Sequence, residues 1–440
     1  MIDKSILPSH WEVKKLGEVC KAVTGNTPSK GNIANYGNYI PFVKPPQIND
    51  RKISDAPEKL SLEGSQKARI LPVGSVLVTC IGNLGRTAIN KTPVAFNQQI
   101  NALIPSEILD GNFLFYQAQS INFRNQLENL AAATTVAIVN KGKFETIEIV
   151  IPPLPEQQEI VAKIEELFSE LDKGKEQLET TLKQLKVYRQ AVLKWAFEGR
   201  FTNAEVRDGE LPEGWLNSSI GEIFEVFVGS TPSRKIDSYW NGNINWVSSG
   251  EVAFCNINET KQKITEEGLN KSSCKLHPPG TVIIAMIGEG KTRGQAAILK
   301  VEATHNQNTA AIRVDQDKYL SKLLYYFLVW KYEDNRRVGS GNNQKALNKE
   351  RVKSIPIPLI PLVEQHHLVQ EIESRLSVCD KVEETITKGM QQAETLRQSI
   401  LKQAFEGKLV KTASAKVTQQ VNQLKKKFAQ TDQYQISFGQ

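Results

Sequence analysis

Apolar residues recur every three or four positions along two stretches of the chain, 156–202 and 364–410. The two stripes consist of Ile160, Ile164, Leu167, Leu171, Leu178, Leu182, Leu185 and Val192, and of Leu368, Ile372, Leu376, Cys379, Ile386, Ala393, Leu396 and Ile400. This spacing places the side chains along one face of a helix and is typical of coiled coils. Proline clusters precede both stretches, and Gly199 and Gly407 follow the periodic residues, as expected at helix starts and ends. The pattern predicts two long amphipathic helices.

Outside these stretches the apolar residues form short runs that are bounded by Gly, Pro and Asn. Runs such as Ser75–Ile81 and Thr281–Ile287 predict strands joined by turns. Segments near 112–128 and 318–333 predict interspersed helices. Each long helix therefore follows a globular part that mixes strands and helices.

The sequence repeats itself after about 206 residues. Three short motifs occur in both copies. In the first copy they are Leu7-Pro8-x-x-Trp11, Gly25-x-Thr27-Pro28-Ser29 and Asn97-Gln98. In the second copy they are Leu211-Pro212-x-x-Trp215, Gly229-x-Thr231-Pro232-Ser233 and Asn306-Gln307. The stretch 156–202 also aligns without a gap onto 364–410, and both copies begin with Glu-Gln and contain Ala-Phe-Glu-Gly near the end. A colinear series of this length indicates an internal duplication.

The duplication predicts an α+β protein in which two pseudo-symmetric globular α/β domains are separated by two long antiparallel coiled-coil helices. A single helix of this length cannot bury its apolar stripe alone, and the equivalent helix of the other repeat is the simplest partner. The predicted segments are a first globular domain over 1–150, a central helical spacer over 151–202, a second globular domain over 203–355, a C-terminal helical spacer over 356–410 and a basic, flexible tail over 411–440.

The composition is that of an ordinary soluble protein of several domains. The chain has 440 residues, of which 40% are hydrophobic and 23% are charged. Its longest apolar run, Leu323–Trp330, is shorter than the roughly 18 residues that span a bilayer, so we expect a cytoplasmic protein with no membrane partner. The net charge of +7 includes +4 from residues 1–150 and +2 from residues 203–355. Basic globular parts are compatible with a polyanionic partner.

Candidate catalytic motifs are incomplete. The five cysteines are scattered and never spaced Cys-x-x-Cys, which argues against a disulfide framework and a structural zinc site. The segment from Ala285 to Gly290-Lys291-Thr292 has Ala at the first glycine position of a phosphate-binding loop and no amphipathic helix after it. His366-His367 lacks the spacing of two metal ligands on a helix. Neither an amino-methyltransferase tetrapeptide nor a glycine-rich S-adenosylmethionine loop is present in the sequence. We therefore expect no catalysis and no metal site in this chain.

The repeated motifs, taken together and in this order, resemble the specificity subunits of type I restriction-modification systems over almost the whole chain. The resemblance implies a non-catalytic subunit with two target recognition domains, each of which reads one half of a split site in double-stranded DNA. It also implies that the two helices act as a ruler and dock two copies of a methylation subunit, and that a restriction subunit completes the complex. Adenine methylation and ATP-dependent cleavage would belong to these partners, together with S-adenosylmethionine, ATP and Mg²⁺, and this chain itself would need no cofactor.

DNA contacts are expected in loops that are rich in Arg, Lys, Asn, Gln and Ser, because these side chains hold phosphates or pair with base edges. Positions shared by both repeats favour phosphate or scaffold roles, whereas positions that differ can make the two half-sites differ. The candidates are Lys30, Lys44, Gln47, Asn83, Arg86, Thr134 and Thr135 in the first domain, and Arg234, Lys235, Ser248, Glu251, Lys291, Arg293, Asn342 and Asn343 in the second. The segment Ala132–Thr135 departs from the Gly-Ser-Thr-Gln-like pattern that is common in the family, whereas Gly339–Gln344 is closer to it.

Two alternatives stay open at this stage. The chain could serve a single polypeptide that combines nuclease and methyltransferase, and no sequence feature separates that system from one with separate subunits. The second alternative is a coiled-coil scaffold with two protein-binding domains and no DNA contact. A mobility-shift experiment with a bipartite duplex distinguishes the scaffold from the DNA-binding interpretations.

Overall fold

The computed structural model describes residues 2–131, 136–203, 205–207, 209–288, 290–337, 347–410, 422–424 and 426. It divides into two compact units. Unit 1 comprises residues 1–181 and 385–440, and unit 2 comprises residues 182–384. Each unit therefore combines one globular domain with parts of both long helices.

The globular domain of unit 1 is built mainly from short strands. They are β1 (Glu12–Lys15), β2 (Cys20–Thr24), β3 (Tyr36–Val43), β4 (Arg51–Ile53), β5 (Lys59–Leu60), β6 (Ile70–Leu71), β7 (Val76–Thr79), β8 (Thr87–Asn90), β9 (Val94–Phe96), β10 (Ile100–Pro105) and β11 (Glu148–Ile151). The helices are α1 (Leu16–Val19), α2 (Leu62–Lys67), α3 (Gly111–Ala118), α4 (Ile121–Asn129) and α5 (Lys141–Phe144). The strands form three sheets, with the orders β1-β11, β2-β10-β7-β8-β4 and β5-β3-β9-β6.

The long helix α6 (Leu154–Phe197) leads into the globular domain of unit 2. The strands of this domain are β12 (Leu216–Ser219), β13 (Glu225–Val228), β14 (Trp240–Val247), β15 (Cys255–Ile257), β16 (Gln262–Ile264), β17 (Val282–Ala285), β18 (Ala296–Leu299), β19 (Ala303–His305), β20 (Thr309–Arg313) and β21 (Pro356–Leu359). The helices are α7 (Ile220–Ile223), α8 (Glu266–Asn270), α9 (Ser321–Trp330), α10 (Tyr332–Arg337) and α11 (Lys349–Lys353), and the second long helix, α12 (Leu362–Phe405), follows.

The sheets of unit 2 repeat those of unit 1. Their orders are β12-β21, β13-β20-β17-β18-β15 and β16-β14-β19. The position of β6 is taken by an isolated bridge between His277 and Ala303, which matches the pairing of Leu71 with Val94. The predicted fold class is therefore confirmed, including the duplication that the sequence motifs indicated.

The two long helices bury the predicted apolar stripes. Of the 16 residues in the stripes, all are buried except Leu182 and Leu376, which are half-buried. Both helices continue without a break through an internal glycine, Gly174 in α6 and Gly389 in α12. They lie within the predicted spacers 151–202 and 356–410.

The start of α6 and the end of α12 attach to the same globular domain in unit 1. The buried Gln157 of α6 accepts a hydrogen bond from the Asp110 backbone N–H (2.8 Å) and donates to the Ile108 carbonyl (2.9 Å). Phe405 of α12 packs edge-to-face on Phe113, with ring centroids 5.3 Å apart. The two helices therefore run antiparallel in this unit.

In unit 2 the roles of the two helices are exchanged, because the start of α12 and the end of α6 attach to its globular domain. Gln365 of α12 accepts from the Leu320 backbone N–H (2.7 Å), and Phe197 of α6 packs on Phe327 with ring centroids 5.2 Å apart. Each of the two recurrent motifs, Glu-Gln and Ala-Phe-Glu-Gly, therefore supplies one attachment side chain in both units.

No described helix is long and apolar enough to cross a membrane.

Candidate nucleic-acid interface

Parallel strands bring separate loops to one edge of each globular domain. In unit 1, β3 and β9 are parallel, with Val43 opposite Phe96, so both strands end at the same edge. The next residue after β9, Asn97, donates its backbone N–H to the Val43 carbonyl at 3.1 Å. In unit 2, Asn306 after β19 makes the same bond to Val247 of β14 at 2.9 Å.

Three more backbone hydrogen bonds join the loops at this edge in unit 1. The Asn26 N–H donates to the Phe96 carbonyl (3.0 Å) and the Cys80 N–H donates to the Gln99 carbonyl (3.0 Å). The Val139 N–H donates to the Cys80 carbonyl (2.9 Å). We call the connected loops 25–30, 44–47, 80–86, 97–99 and 136–139 loop edge 1.

The same three bonds recur in unit 2. Ser230 donates to the His305 carbonyl (2.8 Å), Met286 donates to the Asn308 carbonyl (2.8 Å), and Leu347 donates to the Met286 carbonyl (3.0 Å). We call the described residues of 229–235, 248–251, 286–293 and 306–308, with Leu347, loop edge 2. Loops that are far apart in sequence are thus held together by backbone bonds, which leave the side chains at most positions free to differ.

Most of the predicted contact residues lie on these two edges. Lys30, Asn83 and Arg86 are exposed on loop edge 1, and Arg234, Lys235 and Lys291 are exposed on loop edge 2. The predicted residues Thr134, Thr135, Asn342 and Asn343 lie outside the described residues.

Candidate residues at two equivalent turns, 44–47 and 248–251, have side-chain contacts inside their own domains. The Lys44 ammonium forms an ion pair with Glu58, and Gln47 accepts a hydrogen bond from the Lys44 backbone N–H at 3.0 Å. In unit 2 the Glu251 carboxylate accepts from the backbone N–H (2.9 Å) and the hydroxyl (2.7 Å) of Ser248. Gln47 and Glu251 therefore cap equivalent short turns, and any DNA contact must coexist with that task.

The arginines of loop edge 2 differ in how they are held. The Arg234 guanidinium lies 3.8 Å from the centre of the Trp240 ring, and its Nη2 donates to Gln262 at 2.7 Å. Stacking of this kind fixes a cation in position while other donors stay available. Arg293 is half-buried, and its Nη2 donates to the Arg336 carbonyl at 2.8 Å, so it also fastens its loop to α10.

Two buried histidines lie beneath loop edge 2. Burial, together with the charge of Arg313, lowers the pKa of His277 to about 4. Burial and the neighbouring His277 lower the pKa of His305 to about 3. Their ring centroids are 5.0 Å apart, and the repeat-equivalent side chains in unit 1 are Leu71 and Phe96, which are fully buried. Both rings are therefore neutral at pH 7 and act as core side chains.

Cys80 is the buried cysteine of loop edge 1. Burial raises the pKa of the Cys80 thiol to about 12, which keeps it un-ionised and a poor nucleophile. No group of three or more potential metal-ligating side chains occurs among the described residues. After Thr292 the chain continues into β18 instead of a helix, so the near-match to a phosphate-binding loop lacks the helix start that such a loop requires.

One side-chain contact between distant loops recurs in both units and has no counterpart in the predicted site residues. The Thr27 hydroxyl donates to Gln98 Oε1 at 2.6 Å in loop edge 1, and the Thr231 hydroxyl donates to Gln307 in loop edge 2. The signal in the sequence was the recurrence of Thr-Pro-Ser and Asn-Gln in both copies. The four aromatic side chains Trp11, Phe42, Trp215 and Trp246 recur at equivalent positions and are buried in the core.

A family model for the type I restriction modification DNA specificity domain matches residues 8–183 and again residues 212–394. The chain belongs to this family. The resemblance inferred from the motifs is thereby confirmed, and the two matches correspond to the two copies of the repeat.

Similar proteins align with most of this chain. The StySPI specificity subunit of Salmonella potsdam is 25% identical over 430 residues, which cover 93% of this chain and 91% of the relative. The EcoKI specificity subunit of Escherichia coli K12 is 24% identical, covering 92% and 90%. The crystal structure of the HsdS subunit from Thermoanaerobacter tengcongensis matches with a TM-score of 0.56 at 21% identity, over 92% of this chain and 98% of that one. A chain from a structural study of assembly and conformational transition of the type I R-M system matches with a TM-score of 0.72 at 20% identity, over 92% and 99%.

Two lysines of loop edge 1 are expected to respond differently to truncation. Lys44→Ala should weaken binding of a cognate duplex by about 1–3 kcal/mol and relax base preference at one position, as expected for a lost base contact. Lys30→Ala should weaken binding evenly across sequences and flatten the dependence of log K on log salt by about one unit. Binding isotherms at several salt concentrations with cognate and point-changed duplexes measure both effects. Unchanged affinity and preference in Lys44→Ala would exclude Lys44 as a base-reading residue.

Proposed function

We propose that this chain is the DNA-recognition subunit of a type I restriction-modification complex and that each loop edge reads one half of a bipartite site. The observation that carries the proposal is the repeated set of four backbone hydrogen bonds. It holds equivalent loops together in both units, while several exposed side chains on those loops differ between the units. A shared frame with different polar side chains suits two domains that bind the same polymer at different sequences.

The complex would supply the chemistry that this chain lacks. We expect a methylation subunit, in two copies, to use S-adenosylmethionine for adenine methylation, and a restriction subunit to use ATP and Mg²⁺ for cleavage. The repeated stretches 156–202 and 364–410, which form most of α6 and α12, would each dock one methylation subunit, which is why we expect two copies. Within such a complex the protein would act in the cytoplasm on double-stranded DNA.

Selection from a random duplex library tests the DNA-binding proposal directly. The full chain, with its co-expressed methylation partner, is incubated with 50-bp duplexes that contain a randomised core, and the bound fraction is amplified and sequenced. The proposal expects enrichment of two short motifs at a fixed separation. A scaffold without DNA contact would retain no duplex and enrich no motif. Mass spectrometry of the co-purified partner tells whether nuclease and methyltransferase are separate or fused.

Helix length is expected to set the separation of the two half-sites. Inserting one heptad after Glu179 in α6 and another after Gly389 in α12 keeps the apolar stripe in phase and adds about 10 Å of helix. The non-specific spacer should then grow by about three base pairs, at 3.4 Å per step, while both half-site sequences stay the same. Sequencing of the selected duplexes measures the spacer. A folded, active complex with an unchanged spacer would rule out the helices as the ruler.

A further inference from the structure

In the repeated Asn-Gln motif, the asparagine side chain stabilises a turn and the glutamine side chain lies at the surface. Asn97 and Asn306 are buried, and their Oδ1 atoms accept the backbone N–H of the residue two positions later at 3.2 Å, in Gln99 and Asn308. This is an Asx turn, which fixes the backbone of the intervening residue. The turn presents that residue, Gln98 or Gln307, at the surface, where both are exposed.

Threonine fixes the orientation of each exposed amide. The Thr27 hydroxyl donates to Gln98 Oε1 at 2.6 Å, and Thr231 donates to Gln307 Oε1 in the same way. Among the described residues, neither Nε2 group donates a hydrogen bond to the protein. The engaged oxygen and the available N–H groups make each glutamine a pre-oriented hydrogen-bond donor.

Further donors follow each threonine along the chain. Ser29 and Ser233, two residues later, are exposed, and the next residue is a cation in both copies, Lys30 and Arg234. An amide N–H, a hydroxyl and a cation are groups that bind an anion. Because the same set recurs on two edges whose other side chains differ, its ligand must be common to both half-sites whatever their bases.

We propose that Gln98 and Gln307 each donate a hydrogen bond to a phosphate of the DNA backbone and that Thr27 and Thr231 are positioning residues for this contact. The inference rests on the proposed DNA-recognition function and deepens it by naming a backbone contact shared by both domains. A glutamine that reads adenine uses Oε1 as well as Nε2. Here the threonine hydroxyl already engages Oε1, which favours a phosphate, a ligand that needs only donors.

The test measures binding of the full chain to a fluorescein-labelled 40-bp duplex of mixed sequence over a series of salt concentrations. Gln98→Ala and Gln307→Ala should each weaken binding by about tenfold, the loss expected for a hydrogen bond to a charged group. The salt slope should stay unchanged because a neutral amide releases no counterion, whereas Lys30→Ala should lower it by about 0.9. Library selection with the alanine variants should return the motifs of the wild type.

Charge variants provide a matched control within unit 2. Gln307→Glu places a carboxylate against the phosphate and should weaken binding by more than tenfold. Asn217→Asp adds the same negative charge at an exposed position on β12. The affinity of this variant for the duplex should stay within twofold of the wild type. Gln98→Met and Gln307→Met keep the length of the side chain without its amide. They are used instead of the alanine variants if the alanine variants melt at a lower temperature than the wild type.

Positioning by threonine is tested by rescue and by a double mutant. Thr27→Val should weaken binding about as much as Gln98→Ala, and Thr27→Ser should restore it because the hydroxyl returns. Thr27→Val should add nothing when Gln98 is already alanine. An additive double mutant, or a serine variant as weak as the valine variant, would overturn the positioning role.

The outcomes separate this inference from the function on which it rests. A wild-type chain that binds no duplex contradicts the DNA-recognition function itself. A wild-type chain that binds, together with folded glutamine variants that bind equally well, contradicts the phosphate contact alone. Altered base preference at one position in the alanine variants would assign the glutamines to base reading and would also overturn the phosphate contact.

Discussion

Replacing Gly25 by alanine is expected to destabilise unit 1 by about 3 kcal/mol and to remove DNA binding through loop edge 1, because the added methyl group overfills a closed space. A Cβ atom at Gly25 would lie 2.1 Å from the Asn97 carbonyl oxygen and 2.5 Å from that of Phe96. Both neighbours are backbone atoms of the loop that carries Gln98, so that loop must move. Chemical denaturation and duplex binding measure the two effects.

The matched control is Gly31→Ala, whose Cβ atom would meet only the Ser29 hydroxyl oxygen at 3.8 Å. This variant should fold and bind like the wild type. Gly229→Ala should reproduce the Gly25 result in unit 2, since its Cβ atom would lie 2.2 Å from the Asn306 carbonyl oxygen. Normal stability and binding in Gly25→Ala would show that the close approach of the two loops does not hold loop edge 1 together.

Mild acid is expected to destabilise unit 2 before unit 1. His277 has a pKa of about 4 in the folded protein and 6.5 as its ordinary value. Between these values the unfolded chain binds the proton and the folded chain does not, so stability falls as the pH is lowered from 6.5 towards 4. A shift of this size corresponds to about 3 kcal/mol, and the lowered pKa of His305 acts in the same direction.

Tryptophan fluorescence follows this transition. Five of the six tryptophans belong to unit 2, namely Trp195, Trp215, Trp240, Trp246 and Trp330, whereas Trp11 belongs to unit 1. The urea concentration at the midpoint of unfolding, read from tryptophan emission, should decrease as the pH is lowered from 6.5 to 5. The double variant His277→Leu, His305→Phe, which introduces the residues of the equivalent positions in unit 1, should remove most of that dependence. An equal pH dependence in wild type and double variant would exclude the two histidines as its cause.

The features that depend on periodicity and repetition were predictable from the sequence. The stripes that contain Ile164 and Ile372 indicated the long helices, because a period of 3.6 residues is a local property of the chain. The duplication indicated that each helix has an equivalent partner. The structure adds the reason for two of the motifs, since Gln157 and Phe405 attach both helices to the globular domain of unit 1.

The contacts that define the loop edges were not predictable, because they join residues far apart in sequence. Thr27 and Gln98 are separated by 71 positions, and the antiparallel pairing of β2 with β10 brings their loops together. The ion pair of Lys44 with Glu58 and the inward bond of Arg293 are equally invisible in a residue pattern. Divergence between the repeats thus identified positions on the two loop edges but could not separate exposed side chains from those engaged in contacts within the domain.

Independent reading of the two half-sites can be tested with a genome-wide map of methylated adenines in a host that expresses the chain with its methylation partner. The map is repeated with residues 1–150 replaced by the corresponding region of a relative that has a different known site. If each domain reads its half independently, the methylated motif should change in one half only, with the other half and the spacer retained. A change in both halves, or an unaltered motif in a complex that still methylates, would contradict independent recognition by the two domains.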